Sequence, residues 1–138
     1  MIKFLLAALL AVLLAACHNG NTPQVAATNP DSLAGTYSVN MHGTVIRFKV
    51  DENNGHYKMA QYDNRDGSWL DLKRDFTPLS KDAFEKKSGF PIDGYVAGME
   101  AGDMLVMHVP AGWSRGLAST KTGYLLFWDR PYEMQKDS

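Results

Sequence analysis

Alternation of apolar and polar side chains dominates the chain from about residue 33 onward. In residues 44–50, Ile46, Phe48 and Val50 fall on one face and Arg47 and Lys49 on the other, the period-two signature of a half-buried strand. Residues 56–62 repeat it, with Tyr57 and Met59 opposite His56 and Lys58. In residues 68–73, Leu70 and Leu72 alternate with Trp69, Asp71 and Lys73. Between these runs lie Asp51-Glu52-Asn53-Asn54-Gly55 and the Asp/Asn/Gly cluster 63–67. Such clusters make turns, and the Asn-Gly pair suits a two-residue hairpin. The three runs therefore predict an antiparallel meander.

One helix is expected to follow. Ser80 stands as its N-cap, Leu79 and Phe84 occupy the two staple positions, and Gly89 suits the stop. At two to three turns it depends on packing rather than propensity. Strand patterns then return over residues 94–100, 103–109, 113–119 and 123–129. With residues 33–39 in front, eight candidate strands and a helix over residues 80–88 predict an all-β fold: a small eight-stranded antiparallel barrel or a sandwich. Two of the strands are apolar on both faces, Met104-Leu105-Val106-Met107 and Tyr124-Leu125-Leu126-Phe127-Trp128. Their second face must meet the helix, a partner or a ligand, because large bare apolar patches are uncommon on monomers.

The first 17 residues differ from the rest. Lys3 precedes an unbroken apolar run, Phe4 to Ala16, ending at Cys17. That is the layout of a secretory signal peptide, and the run is too short to cross a bilayer core of about 30 Å as a helix. The tetrapeptide Leu14-Ala15-Ala16-Cys17 resembles the lipobox of bacterial lipoproteins. The resemblance implies a diacylglycerol thioether on Cys17, cleavage before it and acylation of the freed amine. Cys17 is the single cysteine, so no intramolecular disulfide is available. His18, rather than an Asp, follows it, which in this family implies the outer membrane with the domain facing the periplasm. The expected organisation is a signal peptide (1–16), a lipidated tether rich in Asn, Thr, Ala and Pro (17–32) and one small β domain (33–138).

Cleavage before Cys17 removes one lysine and leaves 13 basic against 15 acidic residues, a net charge of −2. So small a charge offers no electrostatic case for nucleic acid as a partner. At the first strand, Gly35-Thr36-Tyr37 resembles the Gly-x-Trp opening of the lipocalin and related calycin barrels, with Tyr37 in the place of Trp. This resemblance implies a β-barrel and, more remotely, a lipophilic ligand.

No catalytic constellation emerges from the remaining motifs. Gly112-Trp113-Ser114-Arg115-Gly116 has the spacing of a nucleophile elbow, but all four histidines precede Ser114 and no helical period follows it. The two acidic turn clusters lack the sixth-position Gly and twelfth-position Glu of a calcium loop. No histidine spacing suggests a zinc site, so neither metal nor cofactor is expected. Binding character remains. Trp69 lies on the polar face of its strand, and Trp113 adjoins Arg115 in a turn-rich stretch. Trp and Arg are enriched at interaction hot spots. The sequence thus predicts a membrane-anchored, non-enzymatic module that binds another envelope protein, in its most concrete form an inhibitor or immunity protein against a toxin or hydrolase. The alternative is a carrier of an apolar small ligand inside the barrel.

Overall fold

A computed structural model describes residues 33–137; Cys17, the signal peptide and the tether lie outside the described residues. Strands β1 (Gly35–Met41), β2 (Thr44–Asn53), β3 (His56–Asp63) and β4 (Ser68–Asp71) form the meander that the alternation predicts. The β1–β2 and β2–β3 hairpins turn on His42-Gly43 and Asn54-Gly55. Their φ angles are 53° and 85° in the first turn and 52° and 77° in the second. Two consecutive positive φ values give the turn whose twist matches the flanking strands.

β5 (Thr77–Pro78), α1 (Lys81–Ser88), β6 (Ala97–Ala101), β7 (Met104–His108), β8 (Ser114–Arg115), β9 (Ala118–Ser119), β10 (Tyr124–Phe127) and β11 (Pro131–Lys136) complete the chain. Nine strands form one antiparallel sheet in the order β4-β3-β2-β1-β11-β10-β7-β6-β5. The sheet curls into a half-barrel, so the fold is all-β with one short helix. Its two ends are pinned together at one point. Tyr57 of β3 and Phe76, just before β5, exchange backbone hydrogen bonds of 3.2 and 3.3 Å.

Three features depart from the sequence pattern, the first being the short edge strand β5, which no alternation announced. Residues 113–119 are not a strand of the main sheet but a separate two-stranded hairpin, β8–β9, folded back at Gly116. β11 was not anticipated, because only Tyr132 and Met134 interrupt its polar residues. It nevertheless sits between β1 and β10 and joins the two halves of the sheet.

The inner face of the curl is filled. Leu33, Tyr37, Phe48, Met59, Phe76, Met99, Met104, Leu126 and Met134 are each at most 1% exposed. Five methionines line this interior (Met41, Met59, Met99, Met104 and Met134), side chains flexible enough to fill an irregular space. Tyr37, the residue of the calycin-like opening, is fully buried, and its hydroxyl donates to the Leu33 carbonyl at 2.7 Å.

The two doubly apolar strands divide their residues cleanly. Met104 and Val106 of β7 and Leu126 of β10 point inward, whereas Met107 and Leu125 join a second cluster on the outside. α1 covers that cluster. Its Ser80 hydroxyl accepts from the Ala83 N–H at 3.3 Å, and Gly89 ends it at φ 80°. Phe84, fully buried, meets Phe127 and Tyr95 at ring separations of 5.7 and 5.8 Å. One part of the outer surface is thereby sealed; the outer faces of β4, β3, β2, β1 and β11 carry no helix among the described residues, and of these strands β11 meets the β9 segment.

Candidate interaction face

Across those five strands a single row of side chains runs along the outer face. Trp69 pairs with Tyr62, Arg47 with Ser38, and Ser38 with Gln135, each in register on adjoining strands. Trp69 and Tyr62 meet edge to face at 5.1 Å. The Arg47 guanidinium links the two halves of the row, lying 5.4 Å from the Tyr62 ring and 5.9 Å from the Trp69 ring. Its Nη2 donates to Asp137 Oδ2 at 3.3 Å, and Asp137 Oδ1 accepts from the Ser38 hydroxyl at 3.1 Å. Arg47 therefore commits one nitrogen to a carboxylate while its side chain stays 45% exposed.

Open grooves flank the row. One of about 340 Å³ lies at the rim of the curl, where Val45 and Tyr62 of the outer face meet Ile46, Gln61 and Leu70 of the inner face. A second, about 280 Å³, is lined by Ser38, Asn40, Val45, Thr122, Glu133 and Gln135. A third, about 390 Å³, runs past Asn40, Leu117, Arg130, Tyr132 and Glu133. Shared walls at Asn40 and Glu133 make the second and third one relief on the outer face, and Val45 separates it from the first. Exposed apolar side chains mark it on the outer side: Val45 at 58% and Leu117 at 99%.

The β8–β9 hairpin borders this relief and is anchored at its base. The N–H groups of Gly112 and Thr120 donate to the carbonyls of Thr120 and Trp113, both at 2.9 Å. Glu133 straps the turn that follows, accepting from the Thr122 N–H at 3.1 Å, the Thr120 hydroxyl at 3.2 Å and the Lys121 N–H. Desolvation works against the charged carboxylate, but these donors outweigh it and hold the Glu133 pKa below the ordinary glutamate value.

At the end of the barrel near the β1–β2 turn, His42, Asp129, Arg130 and Tyr132 interlock. Arg130 can only donate, so its 3.2 Å contact makes His42 Nδ1 the acceptor. His42 Nε2 then carries the proton and donates to the Tyr132 hydroxyl at 2.8 Å, which in turn donates to Asp129 Oδ1 at 2.7 Å. That hydrogen bond from Tyr132 keeps the Asp129 carboxyl below its usual range. The network ties the β1–β2 turn to the β10–β11 turn.

The residues singled out in the sequence do not gather at one place. Trp69 stands in the row and is 37% exposed. Trp113 turns into the outer cluster, half-buried against Phe90 at a ring separation of 6.1 Å. Arg115 is exposed in β8 and makes no ion pair among the described residues. Ser114 lies opposite Ser119 in the hairpin and not on a strand-to-helix turn. The acidic cluster at 63–67 is a hairpin turn in which Asp63 Oδ1 accepts from the Arg65 N–H at 2.8 Å. Sequence reading missed Arg47, Tyr62, Asp137 and Leu117. Arg47 and Tyr62 were legible as polar-face residues, but their meeting depends on strand register, and that of Asp137 on the unforeseen β11. Compared with protein families, curated proteins and solved structures, the chain has no match.

Proposed function

We propose that this chain is an envelope lipoprotein, anchored through a lipid on Cys17, whose β domain is a non-catalytic module that binds another protein with its uncovered outer face. The observation that carries the reading is the Trp69–Tyr62–Arg47–Asp137 row. Its aromatic and guanidinium groups, the types that dominate binding hot spots, are already fixed by one another. A side chain ordered beforehand loses less entropy when a partner arrives. The lipobox supports a location in the cell envelope, facing the periplasm. The most concrete partner is a toxin or hydrolase that attacks the envelope, with this chain as its inhibitor.

The interior favours a protein binder over a carrier of apolar small molecules. A ligand site typically offers about 300 Å³ or more of enclosed, mostly apolar space. Here the inward positions are occupied by the chain's own Tyr, Phe and Met side chains, and the grooves named above open to solvent.

Binding of the full-length chain to the product of the adjacent gene, measured by calorimetry, tests the reading. Trp69→Ala and Arg47→Ala are each expected to weaken the complex roughly tenfold or more. Absence of a complex, or a complex indifferent to both substitutions, overturns it. Incorporation of labelled palmitate, lost in Cys17→Ser, tests the anchor separately.

A further inference from the structure

We propose that the β8–β9 hairpin is the element that enters the partner, its Arg115-Gly116-Leu117 tip fitting an apolar recess with a carboxylate at the rim. The inference rests on the protein-binding reading and adds which part of the molecule penetrates. Leu117 is 99% exposed, so it adds nothing to the packing of this fold. Its stem, by contrast, is fixed on both sides. Ala118 is 3% exposed in the outer cluster, and Trp113 packs against Phe90. Thr120, also 3% exposed, donates its hydroxyl to Glu133 and accepts at the same oxygen from the Gly123 N–H at 2.9 Å.

An exposed leucine on a braced two-stranded stem is a pre-organised wedge: a recess that accepts it gains apolar burial and orders little chain. Arg115 supplies the second half of the complementarity. Its charge has no ion-pair partner among the described residues, and its planar fork matches a carboxylate in a two-point contact. The tip also adjoins the proposed face. Leu117 shares a groove with Asn40 and Glu133, which also line the groove beside Ser38 and Val45. One partner surface can therefore span the aromatic row and the hairpin tip.

The experiment places a photo-crosslinking benzoylphenylalanine at position 117, at Val45 on the outer face, and at Lys86 on α1. It uses the full-length chain in its native bacterium, with adducts identified by mass spectrometry. One protein crosslinked from 117 and 45 but not from 86 is the expected result. Its yield from position 45 should fall at least about tenfold in the Leu117→Asp/Arg115→Glu double variant, the loss expected when a leucine forfeits full burial. The Tm of that variant should change little, because Leu117 is 99% exposed and Arg115 is exposed without an ion pair among the described residues. Crosslinks from 45 alone overturn the hairpin assignment and leave the protein-binding reading standing. Crosslinks from neither position overturn both. A self-dimer or a lipid adduct at 117 overturns the assignment in favour of a second copy or the membrane surface.

Discussion

Trp69 and Trp113 show how little residue type alone decides. Each lies in a polar stretch of sequence, yet Trp69 stays at the surface over Tyr62 and Arg47 while Trp113 sinks against Phe90. The difference lies in what the fold places nearby. β4 ends the sheet, with nothing beyond it to bury a ring, whereas the hairpin folds back over the Phe84–Met107–Leu125 cluster. Thermal denaturation should separate the two roles. Trp113→Ala is expected to cost about 2 kcal/mol, a little less than truncating a fully buried aromatic, and so roughly 8–15 °C in Tm. Trp69→Ala should shift Tm by only a few degrees and show its effect in binding. Equal losses of stability would place Trp69 in the core rather than on an interface.

At the scale of elements, α1 has one fully buried side chain, alongside an ion pair from Lys87 to Glu100 and a hydrogen bond from the Ile92 N–H to Glu85. It is eight residues long, too short to persist alone, and Phe84 is its buried residue. Phe84→Ala is expected to cost about 3–5 kcal/mol and to raise hydrogen exchange across α1 before the sheet opens. Ser80→Ala, which removes only the cap, should cost about 1 kcal/mol. The Glu133 strap adds a pH dependence. Because the folded carboxyl titrates below the ordinary value of 4.5, its stabilisation is present above that pH. It fades as pH falls through the lower folded value. Glu133→Gln should therefore be less stable than the natural chain at pH 7, with the gap narrowing below pH 4.5 in a series of melts. A gap independent of pH would mean that the carboxylate charge contributes nothing to the strap.

For the molecule as a whole, the curl of the sheet depends on a contact between distant ends. Tyr57 and Phe76 meet across a seam of two hydrogen bonds, and Phe76 is 1% exposed in the interior. Phe76→Ala is expected to cost about 3–5 kcal/mol, with exchange protection at the Tyr57 and Phe76 amides lost first. Phe76→Leu, which keeps most of the apolar volume, should retain that protection. If protection were lost evenly over the sheet in both variants, the seam would not be a separate point of closure. Sealing by α1 on one side and exposure on the other also give the molecule a polarity, and the proposed interface uses the exposed side.

Much of this architecture was legible in the order of side chains. Strict alternation marked β2, β3 and β4, the Asn54-Gly55 pair marked a hairpin, and Ser80 with Gly89 bounded the helix. These signals are local: strand pleat, turn dihedrals and helix caps are set by neighbours a few residues apart. The two-faced strands β7 and β10 announced that something must cover them, and α1 does. What the local pattern left open was everything that depends on register and on contacts between distant segments. The Arg47–Asp137 pair spans 90 residues, and the Tyr62–Trp69–Arg47 meeting requires three strands in alignment. Leu117 is bare because it lies at the tip of the hairpin, beyond the Trp113 and Ala118 side chains that pack its stem onto the outer cluster. Side-chain alternation fixes which face of a strand is apolar; only the folded chain decides which outer positions become neighbours.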